Sequence, residues 1–498
     1  MGDGYILALD QSTSASKAML VNRDGVIVTQ TALEHKQYYP KPGWVEHDAM
    51  EIYENVKYIL ADVLKKANLE SANIDVLAIT NQRETVVVWD KDTGVPIYHA
   101  IVWQCRRTSE ICLQLKDQGL ENTVKDLTGL LLDPYFSATK VKWILENAAS
   151  DTLEKAQAGK LLMGTIDTWL IWKLTGGKVH ATDYTNASRT LLFNIKSLEW
   201  DDDLLNIFNI PKVMLAEIKS SNATFGYTKA GEVFASPIPI AGVMGDSQAA
   251  LFGQNCFESG MVKATYGTGS SVMMNIGSAY KPVGNGLVTS IAWVINGKAE
   301  YVLEGIVHCS GDSLKWLKDN LELIHDFACI QGLAESIESN EGVYMVPAFV
   351  GLGIPHWDTN ARAAILGMSR GTSKEHIVRA ALESIVYQIK DAIDTMQSES
   401  DIRIKELRVD GGPTENSFLM QFQADMLNIK VTRAKVAELS VMGAAYMAGL
   451  GVGIWNMMDL SKLRQIEQVY IPSMEDAVRT QYYQGWEEAV ARVLSKSL

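Results

Sequence analysis

Three short runs of small and hydroxylic residues, each directly after an apolar stretch, are the parts of this chain best suited to chemistry. Asp10 opens the run Gln11-Ser-Thr13-Ser14-Ala-Ser-Lys17; Gly267-Thr268-Gly269-Ser270-Ser271 follows Gly260–Tyr266; and Asp410-Gly411-Gly412-Pro413-Thr414 follows Leu407–Val409. Turns of this composition expose successive backbone N–H groups, add hydroxyl donors, and let phosphate oxygens approach without steric bulk. Asp10, at the mouth of the first, suits Mg²⁺ bound through water, because Mg²⁺ keeps much of its hydration shell. Any one of these runs reads equally as an ordinary turn; their repetition is what points to a nucleotide. The chain has no G-x-x-x-x-G-K-[ST] loop and no G-x-G-x-x-G opening a helix after a strand, so a nucleotide would be held by separate turns.

Two further clusters stand at the ends of apolar runs. Arg83 and Glu84 follow Ile74–Thr80, and a charged pair so placed is either an internal ion pair or a pair of hydrogen-bonding groups for a polyol. Trp103 is either a core residue or the apolar wall of such a site. Asp246, after Ile238–Met244, is positioned either as a general base toward a hydroxyl or as the cap of the helix that begins near Gln248.

The elements that must carry these groups alternate. Tyr5–Leu9 and Lys17–Val21 read as a hairpin around Asp10–Ser16, and Val26–Thr29 as a third strand. Met50–Ala67 has helical spacing (Ile52, Val56, Ile59, Leu60, Val63, Leu64), and Ile74–Thr80 returns to strand. The order β-β-β-α-β is an α/β pattern, and similar strand-and-turn grammar reappears past the middle. At 498 residues more than one core is expected. A division into residues 1–253 and 254–498 would set the first and second turns across a cleft.

Composition narrows the class. With 47% hydrophobic residues and a net charge of −14, the chain is globular and lacks the basic face that nucleic acid requires. Five cysteines without a C-x-x-C pair fit reduced thiols in the cytoplasm rather than a disulfide frame or structural zinc. No charged, then apolar, leader precedes the first strand. The uncharged stretch Ser440–Met458 is rich in glycine and is expected as a buried helix rather than a membrane span.

Longer strings resemble the FGGY carbohydrate-kinase family: Tyr39–His47 (YPKPGWVEH), Thr80–Thr85 (TNQRET), Trp103–Arg107 (WQCRR), Asp183–Arg189 (DYTNASR) and Arg408–Gly412 (RVDGG). Both general signatures of the family also fit, Tyr135–Asn147 with Ser137, Lys140 and Trp143, and Ala363–Glu383 with Gly367, His376, Ala380 and Glu383. The similarity runs from about residue 5 to about 490. It implies two actin-like (RNase-H-like) α/β domains with the active site in the cleft between them, and ATP-dependent transfer of a phosphoryl group to a small polyol, glycerol foremost. It places Arg83, Glu84, Trp103, Tyr135 and Asp246 at the acceptor, with Asp246 as general base. Thr13, Ser14 and Lys17 fall in the first phosphate turn; Thr268, Gly311, Lys315, Gly412 and Asn416 fall at the nucleotide; Asp10 and Asp246 neighbour Mg²⁺. It also implies a homodimer or homotetramer.

Departures from the family pattern cluster at the same places. Ser271 stands where an aromatic is usual, and Ser247 where a glutamine is. Both changes are expected to widen the acceptor pocket, so a kinase for another polyol or ketose of about four or five carbons is the alternative. A weakly catalytic nucleotide-binding regulator is a further one, motivated by the first turn, where Ser12 replaces a glycine and Lys17 an arginine. Asp312 and Lys315 replace an alanine and a glutamine, with an i,i+3 ion pair as the plain explanation. The arginine some bacterial members use for fructose 1,6-bisphosphate falls where this chain has Ala235-Ser236-Pro237, and no histidine lies between His180 and His308. Neither that effector nor histidine phosphorylation is therefore expected to act.

Overall fold

The computed structural model describes residues 4–495. Two large mixed sheets organise it. In the first, the strand order is Thr224–Tyr227, Pro239–Gly245, Ile74–Asn81, Tyr5–Gln11, Ala15–Val21, Ile27–Glu34. Its central trio, Pro239–Gly245, Ile74–Asn81 and Tyr5–Gln11, runs parallel, and the two strands beyond Tyr5–Gln11 continue antiparallel. The second sheet runs Val288–Ile295, Lys298–Val307, Ser270–Gly277, Val262–Tyr266, Glu406–Asp410, Lys430–Ala434, Ile466–Tyr470. It repeats the plan: Val262–Tyr266, Glu406–Asp410 and Lys430–Ala434 are parallel, and Ser270–Gly277 and Lys298–Val307 extend it antiparallel. One topology is thus built twice, the duplicated α/β arrangement expected from the sequence.

Local chemistry explains the elements. The helix Ala49–Ala67 starts where the Asp48 carboxylate accepts the Met50 and Glu51 amides at 2.8 and 3.3 Å, and stops where Asn68 turns left-handed at φ 54°. Its buried residues, from Ile52 to Leu64 at three- and four-residue steps, face the first sheet. The first turn is tighter than expected: the strands continue to Gln11 and resume at Ala15, leaving three residues to reverse the chain.

Two helices cross between the sheets, Asp246–Gly253 and Leu439–Gly451. The second is the uncharged glycine-rich stretch, buried along nearly its whole length, and among the described residues no helix is long and apolar enough to span a membrane. Although it comes late in the chain, it packs on the first sheet, sharing a cluster with Ile6, Ala8, Val76, Ala78 and Met244. Contact with Asp246–Gly253 is close enough to require glycine: a Cβ on Gly443 would lie 1.8 Å from the Ala249 carbonyl oxygen. Small residues here let two backbones approach directly, so the halves meet at a rigid pair of helices.

Candidate functional site

Three neighbouring parallel strands of the first sheet end at the same edge, and each ends in a predicted site residue. Tyr5–Gln11 delivers Asp10, Ile74–Asn81 is followed by Arg83 and Glu84, and Pro239–Gly245 is followed by Asp246. Asp10 is level with Thr80, and Gly245 with Asn81, so the groups share one crevice at the carboxyl ends of the strands, where open α/β sheets bind ligands.

Arg83 is buried among acceptors. Its Nε lies 3.1 Å from Asp246 Oδ1, one terminal nitrogen donates to Gln248 Oε1 at 3.2 Å, and both terminal nitrogens donate to Glu304, at 2.7 and 3.2 Å. Glu304 comes from Lys298–Val307 in the second sheet. It is also 2.9 Å from Arg189, whose Nε donates to Glu84 Oε1 at 2.5 Å. The result is a chain of alternating charge, Glu84–Arg189–Glu304–Arg83–Asp246, passing from one half to the other and back.

The two glutamates respond oppositely. Burial would raise Glu304, but Arg189 and Arg83 outweigh it and hold the carboxyl at about 2. For Glu84 burial wins over the same two arginines and the carboxyl is raised. The geometry explains the difference: Glu304 receives both guanidinium groups at close range, whereas Arg83 Nε is 4.0 Å from Glu84. Glu84 also sits at φ 63°, a left-handed conformation a glutamate does not adopt freely; such strain concentrates at functional sites.

Beside this chain lies an aromatic wall. The Trp103 and Tyr135 rings are 5.3 Å apart, and the Trp103 indole donates to Thr13 Oγ1 at 2.9 Å, joining the wall to the first turn. Lys140 fixes Tyr135 from behind, donating to the carbonyls of Pro134, Tyr135 and Phe136 at 2.7, 2.6 and 2.9 Å. In the turn itself, Ser12 uses its hydroxyl on the Ala15 carbonyl, leaving the half-buried Thr13 and the exposed Ser14 as the turn's other hydroxyls. Lys17 is ion-paired with Glu438 at 2.5 Å, a partner from just before the second crossing helix.

Asp10 is the candidate cation ligand. Its Oδ1 is buried without a hydrogen-bond partner, and burial, then the charge of Asp246, raises its carboxyl to about 7. An orphaned carboxylate oxygen near a second, partly exposed carboxylate fits Mg²⁺, which takes one or two protein carboxylates and completes its shell with water and phosphate. Among the described residues no group of three or more His, Cys, Asp or Glu side chains forms a protein-only cage.

Across the cleft, a pocket of about 620 Å³ is lined by Thr268, Gly311, Lys315, Gly412 and Asn416, every nucleotide residue expected from the second half, with apolar Leu314, Phe327 and Ile330. Its floor is knitted by backbone bonds, Gly311 N–H to Gly267 O at 2.9 Å and Ser310 N–H to Thr268 O at 2.8 Å. Asp312 and Lys315 both line it; they form no ion pair with one another, so the i,i+3 explanation does not hold. Gly411 has φ 98°, and a Cβ there would meet the Tyr266 carbonyl oxygen at 2.0 Å. Gly411→Ala is therefore expected to cost about 3 kcal/mol or more and to weaken ADP binding at least about tenfold, read by calorimetric titration and thermal melting. Unchanged ADP affinity would mean the turn does not shape the pocket.

The sequence pattern does not mark Glu304, marks Gln248 only as the start of a helix, and marks Arg189 only as part of a string. The available signal for Glu304 was a lone acid within the apolar run Tyr301–Val307, a buried charge in need of partners.

Such a cleft brings a group bound on one half to a nucleotide bound on the other, which is the working arrangement of a two-domain phosphotransferase. Comparison with known proteins makes the class particular. Residues 5–253 match the N-terminal domain, and residues 262–452 the C-terminal domain, of the FGGY family of carbohydrate kinases, and the chain belongs to that family. Among curated relatives, glycerol kinase of Oceanobacillus iheyensis is 52% identical over 491 residues, 98% of each chain, and glycerol kinase of Bacillus subtilis is 50% identical over 492, 99% of each. The crystal structure of Plasmodium falciparum glycerol kinase with ADP superposes with a TM-score of 0.94 at 39% identity, covering 99% of both chains. Xylulose kinase of Lactobacillus acidophilus shares the fold, with a TM-score of 0.88 at 22% identity over 98% of this chain and 97% of that one.

Proposed function

We propose that the protein transfers the γ-phosphoryl group of ATP to glycerol, giving sn-glycerol 3-phosphate. The observation that carries the reading is the Arg83–Glu84–Asp246 crevice in a chain about half identical, end to end, to proteins called glycerol kinase. Residues 1–253 carry the acceptor and 254–498 the nucleotide. Arg83 and Glu84 hydrogen-bond the hydroxyls of glycerol, and Trp103 and Tyr135 cover its carbon chain. Asp246, with 37% of its side chain exposed, takes the proton of the attacking primary hydroxyl. Thr13 and Ser14 donate to the transferring phosphoryl group from one side, and Thr268, Gly311, Lys315, Gly412 and Asn416 hold the rest of the nucleotide. Lys17, tied to Glu438, contributes its charge at longer range. Asp10 and Asp246 would hold Mg²⁺, which would supply positive charge toward the phosphoryl oxygens. The family resemblance supports a cytoplasmic homodimer or homotetramer.

The test is coupled ADP release with glycerol, erythritol, threitol, xylitol and dihydroxyacetone. Turnover with the best kcat/KM for glycerol is expected. A longer acceptor preferred over glycerol would replace it as the substrate, and silence with all five would end the kinase reading.

A further inference from the structure

One face of the antiparallel pair Ser270–Gly277 and Lys298–Val307 looks into the cleft. Glu304 identifies that face, because its carboxylate meets Arg83 and Arg189 from the opposite half. Side chains alternate along a strand, so Ile306, two residues on, points the same way, while Tyr301 and Leu303 point into the core of the second half. Ser271 is the register partner of Ile306, and its hydroxyl donates to Glu304 Oε1 at 3.1 Å, which sets Ser271 on the cleft face as well. Directly opposed residues have Cβ atoms about 4.5–5.5 Å apart. Ile306 therefore stands over Ser271, next to the carboxylate that holds Arg83.

Ile306 is also unusual among its neighbours. It is only half-buried and, among the described residues, belongs to none of the apolar clusters that make up the cores nor to the side chains packed against them. A β-branched side chain has a stiff, well-defined shape. Placed without apolar partners beside a buried charge network, it has apolar surface that only something entering the cleft can cover.

We propose that Ile306 is the apolar wall of the acceptor site on the second half, the counterpart of Trp103 on the first, and that it limits the acceptor to the length of glycerol. This rests on the proposed phosphorylation of glycerol. The small side chain at 271 taken alone would leave the pocket wide, but the isoleucine opposite it occupies that space. Shortening Ile306 frees volume over Ser271 into which a longer acceptor can extend.

The experiment compares kcat/KM for erythritol and glycerol in wild type, Ile306→Val and Ile306→Ala. A hydrophobic wall discriminates weakly per methylene, so Ile306→Ala is expected to raise the erythritol-to-glycerol ratio about tenfold and Ile306→Val by less. The loss for glycerol should lie mainly in KM, because the contact exists before and during transfer. Melting temperature reports folding; should Ile306→Ala melt early, Ile306→Val carries the same comparison. Wild-type turnover of glycerol with ratios unmoved in both variants overturns the wall and leaves the kinase reading standing. Absence of wild-type turnover on any polyol overturns both.

Discussion

Glu304→Gln is expected to lower kcat/KM for glycerol at least about a hundredfold and to destabilise the protein by about 3–5 kcal/mol. The substitution changes almost no volume; what it removes is the charge that both buried arginines hold at close range. Arg83 loses a bidentate partner at 2.7 and 3.2 Å, and Arg189 one at 2.9 Å. Both are left desolvated with less compensation, which is the costly way to break a buried ion pair. Arg83 keeps Asp246, Gln248 and, at 4.0 Å, Glu84 nearby but loses its bidentate anchor, so the group proposed to meet the acceptor is less firmly held. Because Glu304 belongs to the second half and the arginines to the first, part of the cost is paid in the registry of the halves.

The same residue gives a pH dependence with a definite sign. The Glu304 carboxyl is held at about 2, below its usual 4.5. A depressed carboxylate contributes stability that is complete above the unfolded value and is lost as pH falls from about 4.5 through about 2. Wild type should therefore lose part of its stability advantage over Glu304→Gln in that window, followed by chemical denaturation at several pH values. Parallel curves, or a variant with wild-type melting and activity, would show that the bridge is dispensable.

Much of the site was legible because its parts are local. A small-residue turn after an apolar run announces itself without any partner, and so the runs holding Thr13, Thr268 and Gly412 could be marked before their surroundings were known, whereas Gly311 came only from the family resemblance. The pair Arg83–Glu84 stood out for the same reason, two charges directly behind an apolar strand. The duplicated sheet was visible only as a recurrence of strand and turn, since strand order depends on crossovers that no local pattern encodes. What went unread is what depends on distant registry. Glu304 becomes part of the site only when the second sheet places it 221 residues from Arg83 in sequence, and Lys17 meets Glu438 across 421 residues. Asp312 and Lys315 illustrate the converse. Their spacing suggested a partner for each other, whereas both line the pocket beside Thr268 and Gly412. Ser271, read alone, suggested a wide pocket because Ile306 is 35 positions later in the chain and reaches it only through the antiparallel register.

Asp246→Asn is expected to reduce kcat for glycerol by about a thousandfold, leaving KM within a few-fold and the melting temperature nearly unchanged. The asparagine keeps an oxygen able to accept from the Ser247 amide, now at 2.6 Å, and to face Arg83 Nε, now at 3.1 Å from Oδ1. Packing and most of the acceptor's hydrogen bonds therefore survive. Stability changes little because the side chain is 37% exposed and Arg83 keeps Glu304 as its bidentate partner. What disappears is the capacity to take a proton, and an amide has no basicity to replace it. Loss confined to kcat, with ADP binding intact, is the signature of a group that acts only as the hydroxyl attacks. A variant that retains a tenth or more of wild-type kcat would remove Asp246 from the role of base and transfer the search to Asp10 and Glu84, the carboxylates that share this edge of the first sheet.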